Sequence, residues 1–189
     1  MTNQTMFKKF NRWLASFFDV INGQPINYED HDVVVGDQRY KVVRGRRLDI
    51  NQLLQIERQI YGGEPWDRQS FEIDMGRPNT LYLLLVDQNS QEMIAFIGAS
   101  FNDYARDVHI TNIGVIPKYQ MHGLGTFLLH EVENQARQRQ LLSMSLEVRR
   151  SNVTAQRLYT SLGFIKTQVC EHYYHDDGED AFNMLKKLN

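Results

Sequence analysis

Asn112-Ile113-Gly114-Val115-Ile116-Pro117, followed by Gln120-Met121-His122-Gly123-Leu124-Gly125, decides how this 189-residue chain is read. The first run is strand-like, and Pro117 ends it. Two glycines then open a helix whose inner stripe is Leu124, Phe127, Leu128, Val132 and Ala136. This order puts unpaired helix amides and the positive end of the helix dipole at one spot. Gly123 and Gly125 let an anion approach the backbone there, as a pyrophosphate requires. A packing turn explains the two glycines equally well. Two nucleotide motifs are excluded, because no glycine stands three residues after Gly125 and no Gly-Lys-Ser/Thr occurs in the turn.

Working outward, Val108 and Ile110 share one parity, whereas Ile113 and Val115 share the other. A β-bulge between Thr111 and Asn112 restores all four to one face, unless both faces of the strand are buried and parity carries no meaning. Leu81 to Val86 and Met93 to Ser100 read as an antiparallel hairpin around the polar turn Asp87 to Gln91. Tyr40 to Val43 reads as a strand. Leu48, Leu53, Leu54, Ile56 and Ile60 mark a helix that Gly62-Gly63 ends, and Trp66 to Met75 marks a short second one.

Downstream, Leu142, Met144, Leu146 and Val148 alternate with polar residues, so Glu147 lies off the apolar face. Ser151 or Asn152 caps the next helix, with inner stripe Ala155, Leu158, Tyr159 and Leu162, and Gly163 closes it. Phe164 to Val169 and Ala181 to Leu188 complete the sheet. Residues 40–189 thus form one domain. Residues 1–39 are an appendage: an amphipathic helix carrying Phe7, Phe10, Leu14, Phe17, Phe18 and Ile21, then a connector over Gly23 to Gly36. The helix stripe packs on the domain or on a partner subunit, with attachment to a membrane surface left open.

Composition narrows the function classes. A lone Cys170 rules out an internal disulfide and a cysteine-rich zinc site, which suits a reducing cytoplasm. With 21 basic and 23 acidic residues the chain has no global basic field, so no direct DNA binding is expected. No run of about 20 apolar residues is present to span a bilayer. The histidines show no spacing shared with cysteine or carboxylate ligands, and no metal is assigned.

These residues resemble the GCN5-related N-acetyltransferases (GNAT). The signature of that superfamily (Gln or Arg, two residues, Gly, one residue, Gly or Ala) is matched by Gln120, Gly123 and Gly125, after Ile113-Gly114-Val115. Agreement in order runs over roughly residues 40 to 188. Leu146-Glu147-Val148-Arg149, Ser151-Asn152, Leu158-Tyr159 and Ser161-Leu162-Gly163-Phe164 look like the ribosomal-protein-alanine N-acetyltransferase (RimI-type) branch. So do Glu64-Pro65-Trp66 and Tyr173-Tyr174 ahead of Gly178-Glu179-Asp180-Ala181.

The resemblance implies an α/β fold with a mixed, mostly antiparallel sheet of about seven strands. Helices cover both faces, and a V-shaped cofactor cleft opens between the strands carrying Val108 to Ile116 and Leu142 to Val148. It implies acetyl-CoA as cosubstrate, held by Ile113, Gly114, Val115, Gln120, Met121, His122, Gly123, Leu124, Gly125, Thr126, Asn152 and Tyr159. Glu147 is then the base, acting through water, and Tyr159 the acid that protonates the departing thiolate. Without the family, Glu147 reads as a solvated carboxylate paired with Arg149 or Arg150, Tyr159 as core, and Asn152 as a helix cap.

Trp66, Tyr173 and Tyr174 are the expected acceptor-binding residues. Glu171, Asp176, Asp177, Glu179 and Asp180 form an acidic rim for a basic peptide end, or else solvated loop charges. The branch implies as acceptor the N-terminal alanine of a small-subunit ribosomal protein, in a cytoplasmic monomer or weak dimer. Lysine or polyamine-type acetylation is the enzymatic alternative. A catalytically weak, CoA-binding docking module is the alternative from another class.

Overall fold

Every residue of strand β3 (Thr80–Asp87) except Val86 is buried, and β4 (Met93–Asn102) is buried from Ile94 to Phe101. Successive strand residues face opposite sides, so a run buried at both parities must be covered on both. The computed structural model describes residues 26–63, 65–174 and 176–188. In it, α1 (Ile50–Tyr61) and α2 (Arg68–Asp74) cover one face, and α3 (Leu124–Gln138) packs on β4 and β5 (Asp107–Val115) from the other. The predicted amphipathic stripe of residues 7 to 21 lies outside the described residues.

Phe71 of α2 is fully buried, with its ring 6.0 Å from Tyr82 and 6.1 Å from Phe96. Burying such a side chain contributes about 1.5–3 kcal/mol and fixes α2 over the sheet. Asp67 caps this helix by accepting the Ser70 amide at 2.8 Å.

The sheet has eight strands in the order β1-β2-β3-β4-β5-β6-β8-β7. The count exceeds the expected seven because the connector read over Gly23 to Gly36 contains β1 (His31–Val35), paired antiparallel with β2 (Gln38–Arg44). The reason lies in Val33 and Val35, which pack on the core while the other β1 side chains are exposed. Half an alternating pattern is enough for an edge strand, even inside an acidic, turn-rich stretch.

All pairings are antiparallel except β5 with β6 (Ser143–Arg149), which is parallel and runs only from Asp107↔Ser143 to Ile110↔Leu146. Beyond those four pairs, β6 keeps its pairing with β8 (Ala181–Lys187) up to Arg149↔Ala181, and β5 keeps its pairing with β4. The two strands therefore part, and the V-shaped opening lies where it is expected. The cause is visible in the register of β4 and β5: Ala99 opposes Ile110 but Gly98 opposes Asn112. Thr111 is the extra residue of a β-bulge, which bends its strand at the point where pairing with β6 stops. Helix α4 (Val153–Ser161) and β7 (Ile165–Cys170) follow, and β7 closes the far edge.

Candidate active site

The helix end facing the opening is built by local backbone geometry. Pro117 begins a short 3-10 turn, Gln120 donates from Nε2 to the Val115 carbonyl at 2.9 Å, and His122 Nδ1 lies 2.7 Å from the Gln120 carbonyl oxygen. Gly123 caps α3 in the left-handed region at φ 81°. The first amides of the helix have no acceptor within the helix and point outward. The helix thus begins at the glycine turn that the sequence singles out. Gly125 differs from Gly123: a Cβ built on it meets only Leu158 Cδ2 at 3.4 Å, an ordinary contact. Its helical backbone makes no demand for glycine.

Glu147 is the first β6 residue beyond the last pair with β5. Its Oε1 accepts from Asn183 Nδ2 at 3.0 Å, and its Oε2 accepts from the Tyr173 hydroxyl at 3.3 Å. His109 Nε2 lies 3.2 Å from the same Oε2, with side-chain exposures of 12% and 16% for the pair. Burial raises the Glu147 pKa, but the imidazole beside it and these hydrogen bonds outweigh burial and hold the carboxyl below the usual glutamate value. Burial likewise opposes charge on His109. Glu147, Asp107 and Asp74 overcome it, and the imidazole pKa is raised. Arg149 and Arg150, the partners expected of Glu147 without the family, form their salt bridges with Asp176, Asp177, Glu179 and Asp180 instead.

Tyr159 is buried on α4 with its ring 5.8 Å from Phe164. Burial, then the electrostatic influence of Tyr61 and Tyr174, pushes its phenol pKa up, so it stays protonated through neutral pH. Tyr173 and Tyr174 meet edge to face at 5.1 Å. The third expected acceptor residue is Trp66. The Trp66 ring packs on Phe71 at 5.4 Å and its amide donates to Glu57 Oε2 at 3.0 Å, which makes it an anchor of the loop before α2. Asn152 caps α4, its Oδ1 accepting the Ala155 amide at 3.0 Å.

The acidic rim is largely neutralised within the chain. Arg149 pairs with Asp176 and Asp177 at 2.7 Å and with Glu179 at 2.9 Å, and its guanidinium lies 3.8 Å from the Tyr174 ring centroid. Arg150 pairs with Asp180 at 3.4 Å. These charges fasten the loop between β7 and β8 to the end of β6. Cys170 is half-exposed at the end of β7.

Sequence reading missed three participants. His109 and Asn183 touch Glu147, and Tyr61, at the end of α1, influences both Tyr159 and Tyr174. The parity of β5 was the available signal for His109, since it lies opposite Val108 and Ile110 and so on the face that Glu147 occupies in the neighbouring strand.

The sequence profile of the Acetyltransferase (GNAT) family matches residues 49–164. The chain belongs to this family. The acetyltransferase is 34% identical over 127 residues to the [ribosomal protein bS18]-alanine N-acetyltransferase of Escherichia coli K12, covering 66% of this chain and 82% of that one. It is 31% identical over 145 residues to the N-alpha-acetyltransferase RimI of Mycobacterium tuberculosis, covering 74% and 87%. The crystal structure of the ribosomal-protein-S18-alanine N-acetyltransferase from Escherichia coli superposes with a TM-score of 0.69 at 30% identity, over 79% of this acetyltransferase and 94% of that chain. Among the described residues, no helix is long and apolar enough to cross a membrane.

Proposed function

We propose that this acetyltransferase transfers the acetyl group of acetyl-CoA directly to the N-terminal alanine of a small-subunit ribosomal protein. The observation that carries the reading is the position of Glu147: a partly buried carboxylate, its pKa held below the usual glutamate value, at the point where β5 and β6 part. Acetyl-CoA, when bound, supplies an activated thioester. The amides opening α3, from Gly123 to Thr126, with the turn Gln120, Met121 and His122, would hold its pyrophosphate. The parted edge Ile113, Gly114 and Val115 would pair with its arm and place a backbone amide on the carbonyl oxygen.

The acceptor amine must be neutral to attack. An α-amine has a pKa near 8 and a lysine near 10.4, so at pH 7 about one tenth of the first but well under one thousandth of the second is neutral. A carboxylate as weakly basic as Glu147 therefore suits an N-terminal amine. Tyr159, kept protonated by burial, has the proton that the leaving thiolate needs. Tyr173 and Tyr174 line the acceptor side. The closing loop keeps three of its acids on Arg149, so acceptor recognition rests on shape and aromatic contact more than on bulk negative charge.

The test is transfer to three acceptors in parallel: a ribosomal peptide beginning with alanine, its N-terminally blocked lysine-containing analogue, and spermidine. Product with the free alanine terminus alone is the expected result. Product with only the blocked peptide or spermidine overturns the acceptor, and acetyl-CoA binding without any product points to a docking role.

A further inference from the structure

The hydrogen bonds behind Glu147 form a directed chain that begins at Asp107. Asp107 accepts at both oxygens, from Ser143 Oγ at 2.5 Å and from Ser145 Oγ at 2.6 Å, as an ionised carboxylate does. Ser145 has one hydroxyl proton and gives it to Asp107. His109 Nδ1, 3.0 Å from the same Oγ, must therefore be the donor in that contact. With Nδ1 carrying its proton, Nε2, 3.2 Å from Glu147 Oε2, is the nitrogen at which His109 gains and loses its second proton, and His109 is ready to accept once that proton has left.

We propose that Asp107, through Ser145, fixes the tautomer of His109 so that the proton taken from the acceptor amine passes from Glu147 to His109 Nε2. It rests on the reading of Glu147 as the base. The step is balanced. The acceptor N–H bond breaks, the proton reaches a Glu147 oxygen, the O–H bond breaks as Nε2 binds the proton, and the amine keeps its electron pair for attack. Glu147 ends as carboxylate and His109 as imidazolium, a pair that attracts. His109, Ser145 and Asp107 are positioning residues, because only Glu147 faces the acceptor.

Magnitudes favour His109 as the proton's resting place. A glutamate carboxyl is ordinarily a stronger acid than an α-ammonium by more than about three pH units, which sets that equilibrium roughly a thousandfold or more against a proton resting on Glu147. The imidazole is raised from its usual 6.5, burial lowering it but Glu147, Asp107 and Asp74 outweighing burial, which brings it nearer the amine. The groups facing it are Asp107 on its own strand, Glu147 and Ser145 on β6, and Asp74 at the end of α2. Asp74 also accepts from the Tyr82 hydroxyl at 2.8 Å and lies 3.6 Å from the Arg77 guanidinium.

The experiment uses the full chain with Ser145→Ala, Ser145→Thr and Asp107→Asn. The dependence of kcat/KM on pH is measured with the alanine-terminal peptide, and His109 is titrated by NMR of histidine-labelled protein, its signal assigned with His109→Gln. Cutting the chain removes support for the imidazolium. The acid limb and the His109 midpoint should both move to lower pH by about half a unit or more in Ser145→Ala and Asp107→Asn, and return in Ser145→Thr. A purely structural role would lower the rate with the limb in place. An unmoved limb and midpoint in Ser145→Ala overturns the proposal, whether or not Asp107→Asn folds. If the peptide is not acetylated, the acceptor is wrong, and the NMR titration alone decides the proton chain: a midpoint lowered in Ser145→Ala supports it and an unmoved one overturns it.

Discussion

Gly123 and Gly125 look interchangeable in the sequence, yet the structure gives them opposite tolerances for a methyl group. At Gly125 an alanine Cβ meets Leu158 Cδ2 at 3.4 Å and nothing nearer, on helical backbone. Alanine there should raise helix propensity and narrow the unfolded ensemble, a gain of about 0.5–1 kcal/mol. In a chain of this size that corresponds to a melting temperature about 1–4 °C higher. The new methyl points toward α4, away from the outward-facing amides, so acetyl-CoA affinity should stay within about twofold. At Gly123 the φ of 81° makes any side chain strained, at about 1–2 kcal/mol. Relief of that strain would turn the first amides of α3, and one lost charge-assisted hydrogen bond weakens binding about ten- to a hundredfold. Differential scanning fluorimetry of the free chain and calorimetric titration with acetyl-CoA measure both quantities for each variant. A Gly125→Ala protein that melts lower or loses affinity, or a Gly123→Ala protein unchanged in both, refutes the reasoning.

Glu147→Gln should lower kcat at pH 7 by about 10²–10⁴ while acetyl-CoA binding persists, since it removes a proton acceptor and leaves α3 untouched; a drop below tenfold in steady-state assays counts against Glu147 as base. Gly98→Ala places a Cβ 2.3 Å from Asn112 Oδ1 and 2.7 Å from Tyr82 Cζ, so it should cost about 1–3 kcal/mol in urea unfolding, and an unchanged midpoint would show that the bulge region yields freely. Glu133 pairs with Lys186 at 2.5 Å and Arg137 at 2.6 Å; burial opposes its ionisation, but these cations depress its pKa below the usual 4.5. A depressed folded-state value means the stabilisation is full above about pH 4.5 and fades as pH falls through the folded pKa. Wild type should therefore exceed Glu133→Gln by about 1–3 kcal/mol at neutral pH, the gap closing on acidification; a gap independent of pH from 7 to 3 in chemical unfolding contradicts the assignment.

Patterns governed by one strand or one helix were legible in the sequence. The alternation of β6 placed Glu147 on the polar face, the mismatched parities around Thr111 located the bulge, and the glycine turn located the start of α3. What escaped depends on which elements meet. β1 was hidden because its two inward valines sit among turn-forming and acidic residues. The contacts of Trp66 with Phe71 and Glu57 come from two helices and have no mark in its own stretch of sequence. The five acids near Tyr173 and Tyr174 read as a binding surface until Arg149, distant in sequence, is found to take three of them. His109 was passed over because its partners come from its own strand, a parallel neighbour and a helix, and no local spacing records that convergence.

The extra residue in β5 behaves like a dislocation in a crystal row. Side chains may be exchanged along the strand at modest cost, but the half-period offset cannot relax away where it stands. It can only travel along the strand or run out at an end. Removing Thr111 would bring the inward and outward sets of the two halves into a single phase. Ile113 and Val115 would keep their face and their β4 partners Ile97 and Ala95, and what would go is the bend at which β5 leaves β6. Evolution at this edge is consequently free in letters and rigid in number: the chain can vary what it writes between Asp107 and Val115, while the count of residues it uses there is held.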